Sequence, residues 1–358
     1  MSINYLESYS GDVIETDICI VGGGIAGLTI ADSLKESGLR ISLLEAGSKI
    51  FDIKNNGIFD AKNIGKNHKG ITKGRFRVFG GTSSRWGGQI LPFRKEIFLK
   101  RPYLNLDSWP ISQSDIEPFI KKAEKILKVD NLPYDDRFLT YKNSNLKLNN
   151  PNFKIRFSKW ASFRFRNLAN SIGKKCIKNK NISIILNANV SYINLFKDGK
   201  KVKNLEIKDK FNRKIVCTAK LFILTAGTIE TIRLMMLSKN IHKRGIGNYY
   251  DLLGKKFHDH LNIKVAEVLP KNKKKFLDIF APYYINGTKH SIKFESSQSW
   301  EKKYKCLNII AHLTYENDEN NLLKFIKDIF LNFQSGANIH FLKNNFQLNN
   351  LLKDISEI

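Results

Sequence analysis

The stretch from Thr16 to Ser48, TDICIVGGGIAGLTIADSLKESGLRISLLEAGS, decides the fold. It begins with a short apolar run rich in Ile and Val, from Asp17 to Val21, which is typical of a buried parallel strand. Three glycines then open an amphipathic helix, and the apolar segment RISLL forms a second strand. This order of strand, glycine-rich turn, helix and strand predicts a βαβ unit, and with it an α/β protein built on a parallel sheet.

The three glycines have the Gly-x-Gly-x-x-Gly spacing of a dinucleotide-binding motif. Gly22 permits the tight turn, Gly24 lets the backbone approach a pyrophosphate, and Gly27 allows close packing of the helix on the strand. The pyrophosphate is expected on the exposed N–H groups at the positive end of the helix. Glu45, at the end of the second strand, would accept hydrogen bonds from a ribose. Three neighbouring residues complete the predicted contacts: Ile25, Ala26 and Ala46. FAD and NAD both fit this motif.

A second strand–turn–helix pattern lies between Ala219 and Ser238. Its turn contains Ala226 and Gly227, whose small size allows the chain to pass close to a flat ligand; the alternative is an ordinary crossover without a ligand. The preceding segments predict a parallel strand followed by a small β meander. That layout is found in FAD-binding folds related to glutathione reductase, in which Val190 would present backbone to the adenine.

Four passages occur in an order that resembles the glucose–methanol–choline (GMC) oxidoreductases, especially the branch with sugar dehydrogenases and pyranose oxidases. They are VGGGIAGL…LLEAG, GGTSSRWGG, LDSWPISQSDIEPFIKKAEKIL, and the pair ILTAGTIETIRLMMLS…GIGNYYDLLGKKFHDHLN. Together they span about residues 13–265. The resemblance implies an FAD-binding Rossmann-like domain at 13–110 and 180–262. It also implies an inserted, incomplete α+β substrate domain at 111–179 and 263–358.

In such proteins the loop GGTSSRWGG covers the pyrophosphate and the flavin ring. The resemblance therefore implies cofactor contacts from glycine backbone, hydroxyl groups and an indole: Gly80, Gly81, Thr82, Ser83, Ser84, Trp86, Gly87 and Gly88. The alternative is a β-turn stabilised by a buried Trp86. In related pyranose oxidases a histidine joined covalently to the flavin occupies the place of Arg85. Arginine cannot form that link, so non-covalent FAD is expected.

The resemblance implies oxidation of a CH–OH group in a sugar, polyol or other alcohol, with hydride transfer to flavin N5 and an unidentified electron acceptor. A histidine base suits this reaction because its pKa lies near the working pH. In the family that histidine and its His or Asn partner belong to a C-terminal segment that this sequence lacks. His312 and His340 stand in the wrong context. The catalytic residues are therefore not identified, and the chain is interpreted as C-terminally truncated.

Three alternatives remain open at this stage. The chain could work with a separately encoded C-terminal fragment, it could bind flavin without turnover, or it could be another FAD- or NAD-dependent dehydrogenase with a different active-site layout. The helix that begins near Ser112 is interpreted as scaffold, with a capping box of Ser114 and Glu117.

Composition excludes several other classes. The formal net charge is +27, from 60 Lys+Arg against 33 Asp+Glu. The excess is spread over lysine-rich surface segments, and no basic recognition helix or aromatic RNA platform occurs, so nucleic-acid binding is not expected. The four cysteines are far apart and give no metal spacing. The passage His258-Asp259-His260 is interpreted as scaffold, with a metal site as the alternative. The polar N-terminus and the lack of a long apolar run predict a cytoplasmic protein without a membrane span.

Overall fold

The computed structural model describes residues 3–66, 68–141, 150–314, 329–330 and 334. His340 lies outside these residues. The strands are β1 (Ile3–Tyr5), β2 (Val13–Val21), β3 (Ile41–Leu44), β4 (Gln89–Ile90), β5 (Phe153–Trp160), β6 (Ile182–Leu186), β7 (Asn189–Leu195), β8 (Val202–Lys208), β9 (Lys214–Leu224), β10 (Tyr283–Ile285), β11 (Thr288–Ser296) and β12 (Ile310–Ala311). The helices are α1 (Ile25–Leu34), α2 (Ile53–Asn56), α3 (Gln113–Leu127), α4 (Phe138–Tyr141), α5 (Phe163–Arg166), α6 (Ile172–Lys178), α7 (Thr228–Leu237), α8 (Lys273–Phe280) and α9 (Gln298–Tyr304).

The chain divides into two compact units, and each is made of separate segments. Unit 1 takes residues 1–86, 167–262 and 321–358, and unit 2 takes residues 87–166 and 263–320. These limits differ from the boundaries near residues 110 and 180 expected from the sequence. Residues 87–110 fall in unit 2 because β4 pairs with β5, and residues 167–179 fall in unit 1 because α6 packs against α1.

A sheet in the order β1–β6–β3–β2–β9–β8–β7 forms the centre of unit 1 within the described residues. Pairing is parallel from β1 through β9, and β8 and β7 add an antiparallel meander at one edge. Because β3 and β9 lie on opposite sides of β2, the strand order reverses at the β2–β9 junction. In open α/β sheets ligands bind beyond the carboxyl ends of the strands at such a switch point.

The strands of this sheet are apolar because both faces are covered, as parallel sheets require. Every residue of β3 is buried, and Cys19 and Ile20 at the centre of β2 are fully buried. Cys19 and Cys217 are free thiols in the same core cluster, where they pack as small apolar side chains. The rigid core thus fixes the carboxyl ends of β2, β3 and β9 relative to one another.

Unit 2 is built on an antiparallel sheet in the order β10–β11–β5–β4, with β12 paired to β11. Alternate residues of a strand point to opposite faces. One face packs on a core that contains Phe138, Phe157 and Ile292. The opposite face carries polar residues in register, where Lys289 lies across from Trp160.

The N-terminus of α3 differs in detail from the sequence prediction. The capping box is formed by Ser112 and Asp115, not by Ser114 and Glu117. The backbone N–H of Ser112 donates to Asp115 Oδ2 at 2.8 Å, and the backbone N–H of Asp115 donates to Ser112 Oγ at 3.4 Å. The capping box therefore lies two residues earlier than predicted, because Asp115 can reach back to the N-cap backbone as a glutamate would. Among the described helices, none combines the length and apolar character needed to cross a membrane.

Candidate functional site

A cavity of about 510 Å³ opens where β2, β3 and β9 end in unit 1. Its volume is in the range of small-molecule sites. The residues that follow these three strands contribute to its wall, and so do the first turns of α1 and α7. The cavity therefore lies at the switch point identified from the strand order.

The turn after β2 is held by contacts with the turn after β9. Gly22 has φ +108°, and a Cβ there would lie 2.6 Å from the carbonyl oxygen of Thr225. The Thr225 hydroxyl donates to the carbonyls of Val21 at 2.8 Å and Gly22 at 3.0 Å. A Cβ at Gly27 would lie 2.0 Å from the Gly22 carbonyl oxygen, so α1 can pack this closely on the turn only with glycine there.

The two glycine-rich segments of the sequence meet at Gly24 and Gly81. A Cβ added to Gly81, which has φ +53°, would lie 2.9 Å from Gly24 Cα. A Cβ added to Gly24 would find no atom closer than Gly81 Cα at 4.0 Å. Protein packing therefore does not demand glycine at position 24, and the space that its side chain would fill is part of the cavity wall. That space suits close approach of a ligand to the backbone.

Glu45 is 6% exposed and lies against the same turn. Its Oε2 accepts the N–H of Gly23 at 2.7 Å, and its Oε1 accepts the N–H of Gly47 at 2.7 Å. Burial raises the pKa of Glu45, although these hydrogen bonds and the charge of Arg77 act in the opposite direction. Each carboxylate oxygen has a second lone-pair site, so the group still has acceptor capacity toward the cavity that it lines.

Positive groups line part of the cavity, whose wall also contains the carboxylates of Glu45, Glu230 and Asp259. Gly24 is the N-cap of α1 and makes no side-chain capping bond, and the first turn of α1 contains no acidic residue. The first N–H groups of a helix carry partial positive charge and favour anions. Arg77 also lines the cavity, and burial lowers its pKa while the charges of Glu45 and Glu230 raise it. The chemistry of this wall fits a pyrophosphate.

Arg75 is held in place from three sides. Its guanidinium donates to Glu230 and to the carbonyl of Ile71 at 2.7 Å, and its Cζ lies 4.2 Å from the centroid of the Phe59 ring. Arg75, Arg77 and Glu230 line the cavity, but the motif did not identify them. The available signal was the alternation of arginine and phenylalanine in GRFRVF, which puts both arginines on one side of an extended chain.

The structure brings many of the predicted residues together around this cavity. The lining includes Gly22, Gly24, Ile25, Ala26, Glu45, Ala46, Gly81, Thr82, Val190, Ala226 and Gly227. Val190 is 7% exposed and belongs to the first strand of the meander. Residues from four distant parts of the sequence therefore share one wall.

The other predicted residues do not line this cavity, for different reasons. Gly27 is used for helix packing, and a Cβ at Gly80 would lie 2.4 Å from Asn167 Oδ1. The Ser83 hydroxyl donates to the carbonyl of Gly80 at 2.6 Å, and the Ser84 hydroxyl donates to that of Gly81 at 2.7 Å. These hydroxyls stabilise the 3₁₀ turn Gly81–Ser84.

The end of the loop GGTSSRWGG also has a structural use. The carbonyl of Trp86 accepts the side-chain amide of Gln334 at 3.0 Å. Gly87 and Gly88 belong to unit 2. A Cβ at Gly87 would lie 3.0 Å from the Trp160 ring, and one at Gly88 would lie 2.7 Å from Arg166 Cγ. These two glycines are required by side chains packed against them within unit 2.

In the passage His258-Asp259-His260, which the sequence predicts to be scaffold, His258 and Asp259 line the cavity. Asp259 pairs with His68 at 3.0 Å, whereas the His258 Nδ1 atom lies 3.0 Å from the carbonyl of Lys256. Across the described residues, no group of three or more His, Cys, Asp or Glu side chains could hold a metal ion. His312 belongs to unit 2 and does not line the cavity.

Comparisons with known proteins agree with this fold. A family described as an NAD(P)-binding Rossmann-like domain matches residues 20–60, which include α1 and β3. The chain therefore has a mixed α/β fold with a Rossmann-like nucleotide-binding domain. A search of curated proteins found no match.

Several solved structures are similar at low identity. Pyridoxine 4-oxidase from Mesorbium loti is 19% identical, with a TM-score of 0.40 over 62% of this chain and 51% of that chain. Formate oxidase is 20% identical, with a TM-score of 0.40 over 64% and 48%. A fungal aryl-alcohol oxidase is 15% identical, with a TM-score of 0.42 over 62% and 47%. The matches span about half the length of these proteins.

Proposed function

We propose that this protein is an FAD-dependent oxidoreductase that acts on the CH–OH group of an alcohol, with a sugar or other polyol as the substrate class. The observation that carries the proposal is the meeting of Gly24 and Gly81 at one cavity. These residues belong to the two glycine-rich passages on which the GMC resemblance rests. Their convergence on a wall that suits a pyrophosphate supports a common cofactor for both passages.

The residues around the cavity fit the parts of FAD. The N–H groups at the start of α1, together with Arg77, would hold the pyrophosphate. Glu45 would accept hydrogen bonds from the ribose of the adenosine, and the backbone at Val190 would lie against the adenine. Ala226 and Gly227, at the start of α7, would allow close approach of the rest of the cofactor.

Bound FAD would supply a hydride acceptor at N5. The residues assigned above bind and orient the cofactor, and the proposal assigns no catalytic base. Non-covalent binding is part of the proposal, because Arg85 replaces the histidine that forms the covalent link in related proteins. The Arg85 guanidinium lies 4.5 Å from the Phe51 ring centroid and 5.9 Å from that of Phe76, which gives this side chain a role in packing.

A matched pair of glycine substitutions tests cofactor binding. Gly24→Ala has room for its methyl group within the protein, so we expect the free energy of unfolding to fall by no more than about 1 kcal/mol. The same methyl group would obstruct the approach of a phosphate, and FAD affinity should fall by about tenfold or more, equivalent to ~1.4 kcal/mol. Gly27→Ala should instead destabilise the fold by about 3 kcal/mol or more, because its Cβ meets the Gly22 carbonyl oxygen.

The measurements are flavin fluorescence titration and urea denaturation of the wild-type and variant proteins. Retention of wild-type FAD affinity by a folded Gly24→Ala protein would refute this cofactor site. Acid denaturation tests whether the flavin is bound without a covalent bond. If it is, unfolding the protein in acid should release all of the flavin.

NAD is the second candidate, favoured by the NAD(P)-binding description of the family that matches residues 20–60. Competition decides between the two cofactors. If FAD is the cofactor, a large excess of NAD should leave bound FAD in place. If NAD binds and FAD does not, the chain is a nicotinamide-dependent enzyme. If FAD is the cofactor, anaerobic bleaching of the flavin by a panel of polyols would distinguish turnover from binding alone.

A further inference from the structure

Two neighbouring loops on the surface of unit 1 expose apolar side chains. The first loop, residues 196–201, joins β7 to β8, and the second loop, residues 239–252, follows α7. Five large apolar side chains of these loops are exposed: Phe196, Ile241, Tyr249, Tyr250 and Leu252. Tyr250 is 86% exposed and Leu252 is 61% exposed. We call the two loops together the Tyr250 face. A concentration of exposed apolar side chains is a mark of an interaction surface.

Hydrogen bonds join the two loops into one surface. The backbone N–H of Leu195 donates to Asn240 Oδ1 at 3.3 Å, and Asn240 Nδ2 donates to the carbonyl of Leu195 at 2.9 Å. The His242 Nε2 atom lies 3.2 Å from the carbonyl oxygen of Gly199 and 3.0 Å from the hydroxyl of Tyr249. The first loop and the second loop are therefore in direct contact along both of their lengths.

Close packing also supports the Tyr250 face from below. A Cβ added to Gly199, which has φ +69°, would lie 3.1 Å from Ile241 Cγ2. A Cβ added to Gly245 would lie 2.6 Å from the carbonyl oxygen of Met235 in α7, and the backbone N–H of Ile246 donates to that oxygen at 2.9 Å. The loops are thus fixed to each other and to α7, so the exposed apolar side chains stand on a firm support.

The same face is basic. Six cationic side chains belong to its two loops, and all are exposed: Lys197, Lys200, Lys201, Lys239, Lys243 and Arg244. Asp198 and Asp251 are the acids of these loops, so the formal charge of the face is six minus two, or +4, with histidine counted as neutral. Asp251 is paired with Lys255, which lies outside the face, at 2.5 Å. A partner that complements this face therefore needs negative charge as well as an apolar region.

The surface of a membrane that contains anionic lipid provides both. Its head groups attract Lys and Arg side chains by about 1 kcal/mol for each cation near the surface. Tyrosine rings favour the boundary between head groups and acyl chains, because they are apolar with a polar tip. The exposed aliphatic side chains of Ile241 and Leu252 match the acyl region, whereas a nucleic-acid backbone has no apolar region for them.

We propose that the Tyr250 face binds the surface of a membrane that contains anionic phospholipid. The six cations contact the head groups, and the side chains of Tyr250 and Leu252 enter the interface between head groups and acyl chains. Binding of this kind requires no membrane-spanning helix. The face does not line the cavity assigned to FAD, and the proposal does not depend on the identity of that cofactor.

Sedimentation with vesicles tests the proposal. One set of vesicles contains phosphatidylcholine alone, and the other contains equal parts of phosphatidylcholine and phosphatidylglycerol. We expect the wild-type protein to bind the mixed vesicles at low ionic strength and to be released as salt is added. Binding to pure phosphatidylcholine with the same affinity would contradict the role of the cations.

A protein of net charge +27 is attracted to any anionic surface, so the decisive variants leave the charge unchanged. The double substitution Tyr250→Ser with Leu252→Ser should lower the affinity for mixed vesicles by about tenfold or more, because it removes the apolar contacts. Its stability to urea should stay close to that of the wild type, since both side chains are exposed. Tyr284→Ser with Leu99→Ser changes two exposed residues of unit 2 and is the matched control, which should bind as the wild type does.

A second pair of variants tests the cations at constant net charge. Lys200→Glu with Lys243→Glu should weaken vesicle binding more than Lys302→Glu with Lys303→Glu, which lie at exposed positions of α9. Equal vesicle affinity in the two serine variants would overturn the proposal. So would duplex DNA binding that needs Lys200 and Lys243 but not Tyr250, or a dimer in sedimentation equilibrium that Tyr250→Ser with Leu252→Ser abolishes while the wild type ignores vesicles.

Discussion

Glu45 illustrates how one side chain can serve both the fold and the candidate site. Its two oxygens accept backbone N–H groups from Gly23 and Gly47, and these bonds connect the glycine-rich turn with the end of β3. The motif predicts Glu45 as a ribose ligand, but the hydrogen bonds from Gly23 and Gly47 depend on a tertiary contact that no local pattern reveals. A substitution at this residue should therefore change stability as well as nucleotide binding.

We expect Glu45→Gln to lower the free energy of unfolding by about 1–3 kcal/mol at pH 5, because the new amide group opposes a backbone N–H and leaves it unsatisfied. The pKa of Glu45 is raised in the folded state. The stability that protonated Glu45 contributes is thus fully present below its unfolded-state pKa of about 4.3. This contribution is lost as the pH rises through the folded-state pKa. The difference in the free energy of unfolding between the wild type and Glu45→Gln should therefore decrease with increasing pH.

Urea denaturation of both proteins between pH 5 and pH 8 measures this difference. The exposed Glu36→Gln change is the control for removal of one carboxylate from the same unit. A difference that stays constant or widens with pH would contradict the burial argument.

Gly24 and Gly87 look equivalent in the sequence, since both belong to glycine-rich passages that resemble those of a flavoprotein. The structure distinguishes them by what an added Cβ would meet. At Gly24 it would meet open space in the cavity wall, and at Gly87 it would meet the Trp160 ring. In a sequence, a glycine needed for a ligand looks the same as a glycine needed for a neighbouring ring. Only the packed structure distinguishes the two.

At the scale of elements, the β2–α1–β3 unit was predictable because its signals are local. Apolar strands, the glycine turn and the distal acid all lie within Thr16–Ser48. Arg77 was not predictable in this way, because its place at the cavity is set by the position of its loop against the sheet. The N-cap of α3 was also not predictable from the sequence alone. Ser112 with Asp115 and Ser114 with Glu117 are both possible capping boxes, and the structure shows the first.

The observed box predicts unequal effects for these two serines. Ser112→Ala removes the cap of α3 and should lower the free energy of unfolding by about 1 kcal/mol. Ser114→Ala removes only an exposed hydroxyl that lies 2.7 Å from Ser112 Oγ, and we expect a change within about 0.5 kcal/mol. Thermal denaturation of both variants measures the effects; equal losses, or the reverse order, would show that the cap is at Ser114.

At the scale of the whole molecule, the net charge of +27 should affect the kinetics of cofactor binding. FAD carries negative charge on its pyrophosphate, and a cationic protein accelerates the association of anions. The Debye length falls from about 30 Å at 0.01 M salt to about 8 Å at 0.15 M, so most of this long-range attraction is screened over that range.

We expect the association rate constant for FAD to fall by about tenfold or more between these two salt concentrations. The dissociation rate constant should change much less, because it depends mainly on short-range contacts. Stopped-flow measurement of flavin fluorescence gives both constants. An association rate that does not respond to salt would show that the positive charges lie too far from the cavity to guide the ligand.

The order of the strands in unit 1 also determines when paired strands become available to each other during synthesis. β2 ends at Val21, but its parallel partner β9 begins only at Lys214. At about 5–20 residues per second, the ribosome delivers β9 some 10–40 s after β2. Throughout that interval one edge of an apolar strand has no native partner, which exposes the nascent chain to wrong pairing. The glycine-rich turn thus acquires its final shape late in translation, and chaperones that shield open strand edges should govern the yield of folded protein.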